Sequence, residues 1–385
     1  MSRRTVLSAV TTGNGAFEAV GRRIPQHASR SFTSTAQRNA TKITHFTPTS
    51  SAELDSALST IREKILLPSY LTLAQRKKII SSKWAKKLQV DPITIEIDGE
   101  LSKFRYMNPF SGDIPNTRKS VVAAVEKFDG ASDDDFANLR PLLEGVHATG
   151  RRLSDDFYAK ILRIVGLKGR VYELVELARG SKKTGFRLDT SEKVNELLHF
   201  CQLRALEAEW SRPETQKALR WAEEVVELLE DEAHAPKTAQ IEGDLPLNRD
   251  PQVLLAPLHL AAALVVKAGV QEERLVAKVN RLSSTIVKLW PAGHGLKKLH
   301  QLERYVEDMD YLLDANKFVA LATPLLHGLE LASQAVSEPA LAAELQSRSR
   351  TLKSEIESAI SEAAKKSKNG RGEVVYQKFY GGESS

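Results

Sequence analysis

The single cysteine, Cys201, is the first residue to test for chemistry, because a thiolate is the strongest nucleophile a side chain offers. It stands in Leu197-Leu198-His199-Phe200-Cys201, an apolar run of helical character. A working nucleophile needs a base and a depressed pKa, and only His199 is close in sequence. The run reads as core, with the thiol a small buried hydrophobe. One cysteine also excludes a disulfide framework and any zinc or iron–sulfur site built on Cys. His294 and His300 are six residues apart, not at the i, i+4 spacing that puts two ligands on one helical face. Asp133-Asp134-Asp135 has the residue type of a cation site, but an N-terminal helix cap favoured by the helix dipole accounts for it. The chain carries no phosphate loop, dinucleotide fingerprint, zinc-protease helix or nucleophile elbow. The sequence predicts no enzyme, no metal and no cofactor.

Binding is the other chemistry available. Residues 76–87 carry Arg76, Lys77, Lys78, Lys83, Lys86 and Lys87 with no acid among them. Residues 160–187 carry Lys160, Arg163, Lys168, Arg170, Arg179, Lys182, Lys183 and Arg187 against Glu173 and Glu176. Two such stretches form a basic stripe able to neutralise several phosphates. We take Arg76, Lys77, Lys78, Lys83, Arg163, Lys168, Arg170, Lys182, Lys183 and Arg187 as candidate RNA contacts. Residues 222–250 are the counterweight, nine acids against Lys237 and Arg249, expected to face a protein or solvent.

The global charge has a different origin. Of 55 Lys+Arg and 49 Asp+Glu, seven and one fall in residues 1–42, which leaves 48 of each for the rest. An Arg- and Ser-rich, acid-poor start of this kind predicts a mitochondrial transit peptide over 1–40. Arg30-Ser31-Phe32 resembles a matrix-processing site, with the mature start between Phe32 and Ala40. The longest apolar stretch, Val253 to Val266, is too short to cross a bilayer, so no transmembrane segment is predicted. The expected location is the mitochondrial matrix.

The elements that position these residues are mostly helices. Leu54, Leu58, Ile61 and Ile65 share one face of a helix over Ala52 to Leu67, ended by Pro68. A second helix is predicted from Thr72 to Leu88. Asp98-Gly99 between two alternating runs predicts a β-hairpin, because both central turn residues must accept positive φ. Residues 41–110 are thus N-terminal helices with a hairpin. Beyond them come helical repeats over 111–232, an acidic loop at 233–250, a C-terminal helical domain at 251–366 and a flexible tail at 367–385.

The repeats show in three spaced signals. Gly112, Gly150 and Gly185 each precede a Pro/Leu, an Asn/Ser/Asp and a new helix, at intervals of 38 and 35 residues. Glycine takes the left-handed turn and the polar residue caps the next helix. Each period has room for two helices, the mark of a helical-hairpin solenoid. The unit from Asp156 to Gly185 resembles the pentatricopeptide repeat family. Tyr158 takes the aromatic place, Ile161 and Leu162 the apolar pair of the first helix, and Gly169-Arg170 the turn. Val175 and Leu177 fall on the second helix. Pro115 matches the family's proline, whereas Leu153 and Leu188 replace it. Leu174 stands where a small residue lets the helices approach, and Asn195 and Glu196 stand where an apolar pair is expected.

The fold class expected is all-α, a pentatricopeptide/tetratricopeptide-like helical-hairpin solenoid with one N-terminal β-hairpin. Together with the transit peptide, the resemblance implies a non-catalytic matrix protein of mitochondrial gene expression. It would be a component of, or factor bound to, the mitochondrial ribosome, touching RNA through its basic repeats and other proteins through its solenoid surface. The alternative is a protein-binding scaffold or assembly factor for a respiratory complex, since such arrays serve both roles.

Overall fold

The computed structural model describes residues 43–381 apart from 152, 238–244, 301–308 and 367–369. The transit peptide predicted over 1–40, the middle of the acidic loop and part of the C-terminal helical domain lie outside the described residues. Helix α1 (Ala52–Ile61) starts where the Ser51 hydroxyl accepts the N–H of Leu54, and it buries Leu54, Leu58 and Ile61. The expected run to Leu67 does not stay α-helical. Pro68 has no N–H to offer the carbonyl four residues back. The chain widens first into a π turn over Arg62–Leu66, where the Leu67 N–H reaches the Arg62 carbonyl, and then tightens into a 3-10 turn over Leu67–Tyr70.

The second predicted helix is two. Helix α2 (Leu73–Ile80) opens with a reciprocal Thr72–Gln75 capping box and stops at Ser81; α3 (Ala85–Val90) follows a 3-10 turn. The break frees the Ile79 carbonyl, which accepts the Met107 N–H at 2.7 Å. The hairpin stands as predicted: β1 (Ile93–Ile97) pairs antiparallel with β2 (Glu100–Phe104), Ile97 opposite Glu100. Asp98 and Gly99 hold φ of 51° and 82°. An isolated two-stranded hairpin is marginal in water. This one packs Ile97 and Phe104 on Ile43, Leu67, Leu71, Ile79 and Leu88, a small core separate from the main one.

The main core begins on α1 and runs to the C-terminus. Helices pair along it: α1 with α4 (Thr117–Lys127), α5 (Asp133–Ala137) with α6 (Leu139–Ala148), then α7 (Asp155–Leu167) with α8 (Val171–Arg179), followed by the short α9 (Ser181–Thr184) on α6 and α8. Next come α10 (Ser191–Glu207) with α11 (Arg212–Leu228) and α12 (Pro251–Val266) with α13 (Glu273–Leu289). After α14 (Leu296–Leu299) the last pair is α15 (Ala315–Ala335) with α16 (Pro339–Lys366). First helices stack on first helices, α4–α7–α10–α12–α15, and second helices α6–α8–α11 line up beside them. The result is an all-α helical-repeat fold with one small hairpin. Residues Lys42–Ser385 form one compact unit, so the stretches 111–232 and 251–366 share a single core.

The three glycine turns are left-handed, with φ of 80°, 74° and 72° at Gly112, Gly150 and Gly185. Asn116 and Ser154 cap α4 and α7 as the pattern requires. In the third unit the cap is Thr190 rather than Asp189, whose carboxylate instead binds Lys193 inside the core. The close approach expected opposite Leu174 occurs elsewhere. Leu174 is fully buried, and it is Gly166 on α7 that lies under the Phe200 ring of α10. A Cβ there would overlap the ring, so Gly166→Ala is expected to destabilise by about 1–3 kcal/mol despite its better helix propensity. Urea denaturation of the variant checks this; an unchanged midpoint would contradict the packing.

The tail is a correction. Residues expected to be flexible form α17 (Arg371–Tyr380), which packs on α15. Val375 and Phe379, one turn apart, are both buried, and the carboxylate of Glu196 receives both forks of Arg371 at 2.6 Å.

Candidate nucleic-acid interface

The groups with reactive potential are sealed. Cys201 is wholly buried, and burial pushes its thiol up to about 12. His199 is buried beside it, held well below the usual imidazole range by burial and by the charges of Arg371 and Lys378. Neither ring nitrogen of His199 has a partner among the described residues. No cluster of three His, Cys, Asp or Glu side chains suited to a metal occurs among the described residues. The aspartate triplet is structural: Ser132 is the cap of α5. Burial would raise the Asp135 carboxyl, but bonds from Asp129, Ser50 and Ser132 outweigh it and hold it below its usual range. It thereby fastens Ser50 and the chain before α1 to the first repeat.

One buried polar cluster went unnoticed in the sequence. Gln202 bonds Nδ1 of His259 at 2.9 Å, and Nε2 of His259 bonds Nδ1 of His327 at 2.8 Å. Trp210 and Phe379 close over both rings. Burial, with the charge of Lys267, lowers His327 to about 4; burial also drives His259 well below its ordinary value. Both imidazoles are neutral in the fold and protonate more readily once it opens. Their contribution is therefore full above the unfolded value near 6.5 and is lost as pH falls towards 4. His327 alone is worth about 3 kcal/mol across that window. Melting of the protein at pH 7 and pH 4.5 should show the loss, and His327→Gln should remove the His327 share of it and leave that of His259.

The repeat patch is largely occupied by the chain's own acceptors. Arg163 pairs with Glu192 at 3.1 Å. Lys168 donates to the carbonyls of Glu126 and Phe128 at the end of α4. Arg170 lies on the Phe136 ring, donates to the Gly130 carbonyl at 2.8 Å and pairs with Asp133. Arg179 pairs with Glu176 and Glu224. Arg187 donates to the carbonyls of Ala233 and Ala235. These side chains join one hairpin to the next. Lys182 and Lys183 stay exposed; the Ala233 N–H, and after it the charge of Lys182, holds the Asp231 carboxyl below its usual range.

The acidic segment supplies many of these partners. Glu224 takes Arg179, and Glu223 takes Lys278. Lys237 bridges Asp155 and Asp189, beside buried Lys193. Part of it packs back on the repeats, whereas Glu227, Glu230, Asp231 and Glu232 are exposed; the sequence led us to expect the segment to face a protein or solvent.

The N-terminal basic stretch differs. Arg76 is turned inward, donating to the carbonyls of Leu71 and Ser69 at 2.9 and 3.0 Å. Lys77, Lys78, Lys83, Lys86 and Lys87 are all exposed. Lys78 and Lys87 lie over the Trp84 ring, 4.8 and 5.4 Å from its centroid. None of the five pairs with a carboxylate among the described residues, and Leu71 to Val90 contains no acid. Such a face suits a polyanion, with Trp84 set between its charges.

A helical-repeat body with a localised cationic face is the architecture of a binding class of protein. A model of the mitochondrial ribosomal protein mS27 family matches residues 30–378. The small ribosomal subunit protein mS27 of Neurospora crassa is 36% identical over 378 residues, spanning 93% of this chain and 94% of that one. The chain belongs to the mitochondrial ribosomal protein mS27 family. It is a mitochondrial protein of the ribosome, structural rather than enzymatic, and this decides between the ribosomal and respiratory-assembly readings.

Proposed function

We propose that this chain is a built-in component of the mitochondrial small ribosomal subunit in the matrix, and that it holds RNA through the exposed face of α2 and α3. The observation that carries the RNA contact is the contrast between two basic stretches. Lys77, Lys78 and Lys83, with Lys86 and Lys87, are exposed and meet no carboxylate among the described residues, whereas Arg163, Lys168, Arg170 and Arg187 are tied to their own chain. Phosphate contacts without base reading would position the protein on structured RNA. Lys182 and Lys183 form a secondary contact beside Asp231.

The small subunit is supported by the name of the Neurospora relative. The matrix location is supported by the basic, acid-poor start, removed upstream of Ile43, which is buried in the small core. The repeats are of pentatricopeptide type in origin, a reading supported by the left-handed glycines and by the stacking of first helices on first helices. Sedimentation of a mitochondrial lysate tests the assignment. The tagged chain should travel with the small subunit and lose that position after ribonuclease. Travel with respiratory subassemblies would contradict it.

A further inference from the structure

Ten of the described arginines are matched by acid. Among the described residues, Arg62, Arg140, Arg163, Arg170, Arg179, Arg187, Arg204, Arg212, Arg348 and Arg371 each lie within 4.0 Å of a carboxylate. Arg118 and Arg151 are among the arginines with no such partner among the described residues, and they come from two separate repeats. They meet where the starts of α4 and α7 lie side by side.

Hydrogen bonds fix the junction. Arg151, just after the left-handed Gly150, donates to the Thr117 hydroxyl in the first turn of α4. Arg118, also in that turn, donates to the hydroxyl of Ser154, the cap of α7. The two adjacent helix starts are thus laced together by two crossed arginines. Burial, and after it the charge of Arg76, pushes the Arg151 guanidinium below its ordinary range. The first turn of α4 has no acid to offset these charges. Of the two acids in the first turn of α7, Asp155 is already held by Lys193 and Lys237, and Asp156 is exposed.

We infer that Arg118 and Arg151, with the N-terminal end of α4, form a seat for one phosphate oxyanion. Each guanidinium carries five N–H donors in a planar fork. The bonds to Thr117 and Ser154 use one nitrogen of Arg151 and one of Arg118, and they hold the planes in place rather than fill them. A tetrahedral anion with several acceptor oxygens satisfies such forks and removes the repulsion between like charges. The helix start adds its partial positive charge. For its occupant the inference rests on the RNA reading above: a phosphodiester of the strand that crosses the lysines of α2 and α3. The lysines would attract the backbone diffusely, and the seat would fix its register.

The test uses the full chain, a fluorescent stem-loop RNA followed by anisotropy, and inorganic phosphate followed by thermal shift. The variant is R118K/R151K, which keeps the charge and loses the forks; R151K alone guards against a folding defect, and both should melt like wild type without ligand. We expect RNA affinity to fall about tenfold, with the salt dependence unchanged, because the number of charges facing phosphate is the same. K77E/K78E/K83E should instead lower the salt slope. Inorganic phosphate should raise the melting temperature of wild type and not of R118K/R151K. If R118K/R151K binds RNA like wild type while K77E/K78E/K83E does not, the seat is overturned and the RNA reading stands. If wild type binds no RNA but phosphate protection depends on both arginines, the seat stands with free phosphate as its occupant and the RNA reading fails. If wild type responds to neither probe, both fall.

Discussion

Arg371→Ala is expected to cost about 3–5 kcal/mol of stability, the penalty typical of a buried charge stripped of its partner. Glu196 is wholly buried on α10, and both of its oxygens accept from Arg371 at 2.6 Å. The only other cation paired with it among the described residues is Arg163, at 3.9 Å and already bonded to Glu192. Removing Arg371 also frees the face of the Phe200 ring and loosens α17, which covers His259 and His327 through Phe379. The diagnostic variant is the double one. Adding Glu196→Gln removes the stranded charge, so the double variant should recover most of the loss, and the two changes should be strongly non-additive. Urea midpoints of the four proteins measure it. An Arg371→Ala protein as stable as wild type would mean that α17 does not hold this place in solution.

Charge reversal on α2 and α3 carries the second large effect. K77E/K78E/K83E replaces three exposed cations by anions in a stretch with no acid of its own. Every phosphate that is no longer neutralised lowers the slope of log affinity against log salt by about 0.7–0.9. A slope change of about 2–3 follows, with an affinity loss on the order of 100-fold near physiological salt. Stability should stay within about 0.5 kcal/mol, because solvated side chains away from the core carry little of it. K182E/K183E should have a smaller effect, since Asp231 already offsets part of the charge at Lys182. Equal losses from both variants would put the repeat patch back in contention.

The features legible in the sequence were the local ones. Asp98-Gly99 dictates its own turn, and Gly112, Gly150 and Gly185 dictate theirs, because positive φ is a property of one or two residues. The apolar stripe of Leu54, Leu58 and Ile61 reports a buried face without knowledge of what covers it. The fate of the charges was not legible. Arg163 finds Glu192, 29 residues away, and Arg371 finds Glu196, 175 residues away. A run of basic residues looks the same whether its partners are solvent, RNA or an acidic segment that folds back on it. The equal number of positive and negative side chains after residue 42 was the one hint, and it holds no information about pairing. Asn195 and Glu196, out of place in a repeat pattern, marked the positions where the fold departs from it. Asn195 bonds Tyr311 and Ser191 in a buried polar network, and Glu196 anchors the C-terminal helix. The crossed arginines at Thr117 and Ser154 had only a faint signal, Gly150-Arg151 ahead of a cap.

The most direct measurement is ultraviolet crosslinking of intact small subunits from mitochondria, followed by mass spectrometry of the peptides left on RNA. Crosslinked peptides of this chain should come from residues 73–90, with Trp84 and its flanking lysines foremost, and from the Arg118 and Arg151 region. Crosslinks confined to 160–179, where the basic side chains are engaged within the fold, would contradict the account, as would a subunit-bound chain that yields none.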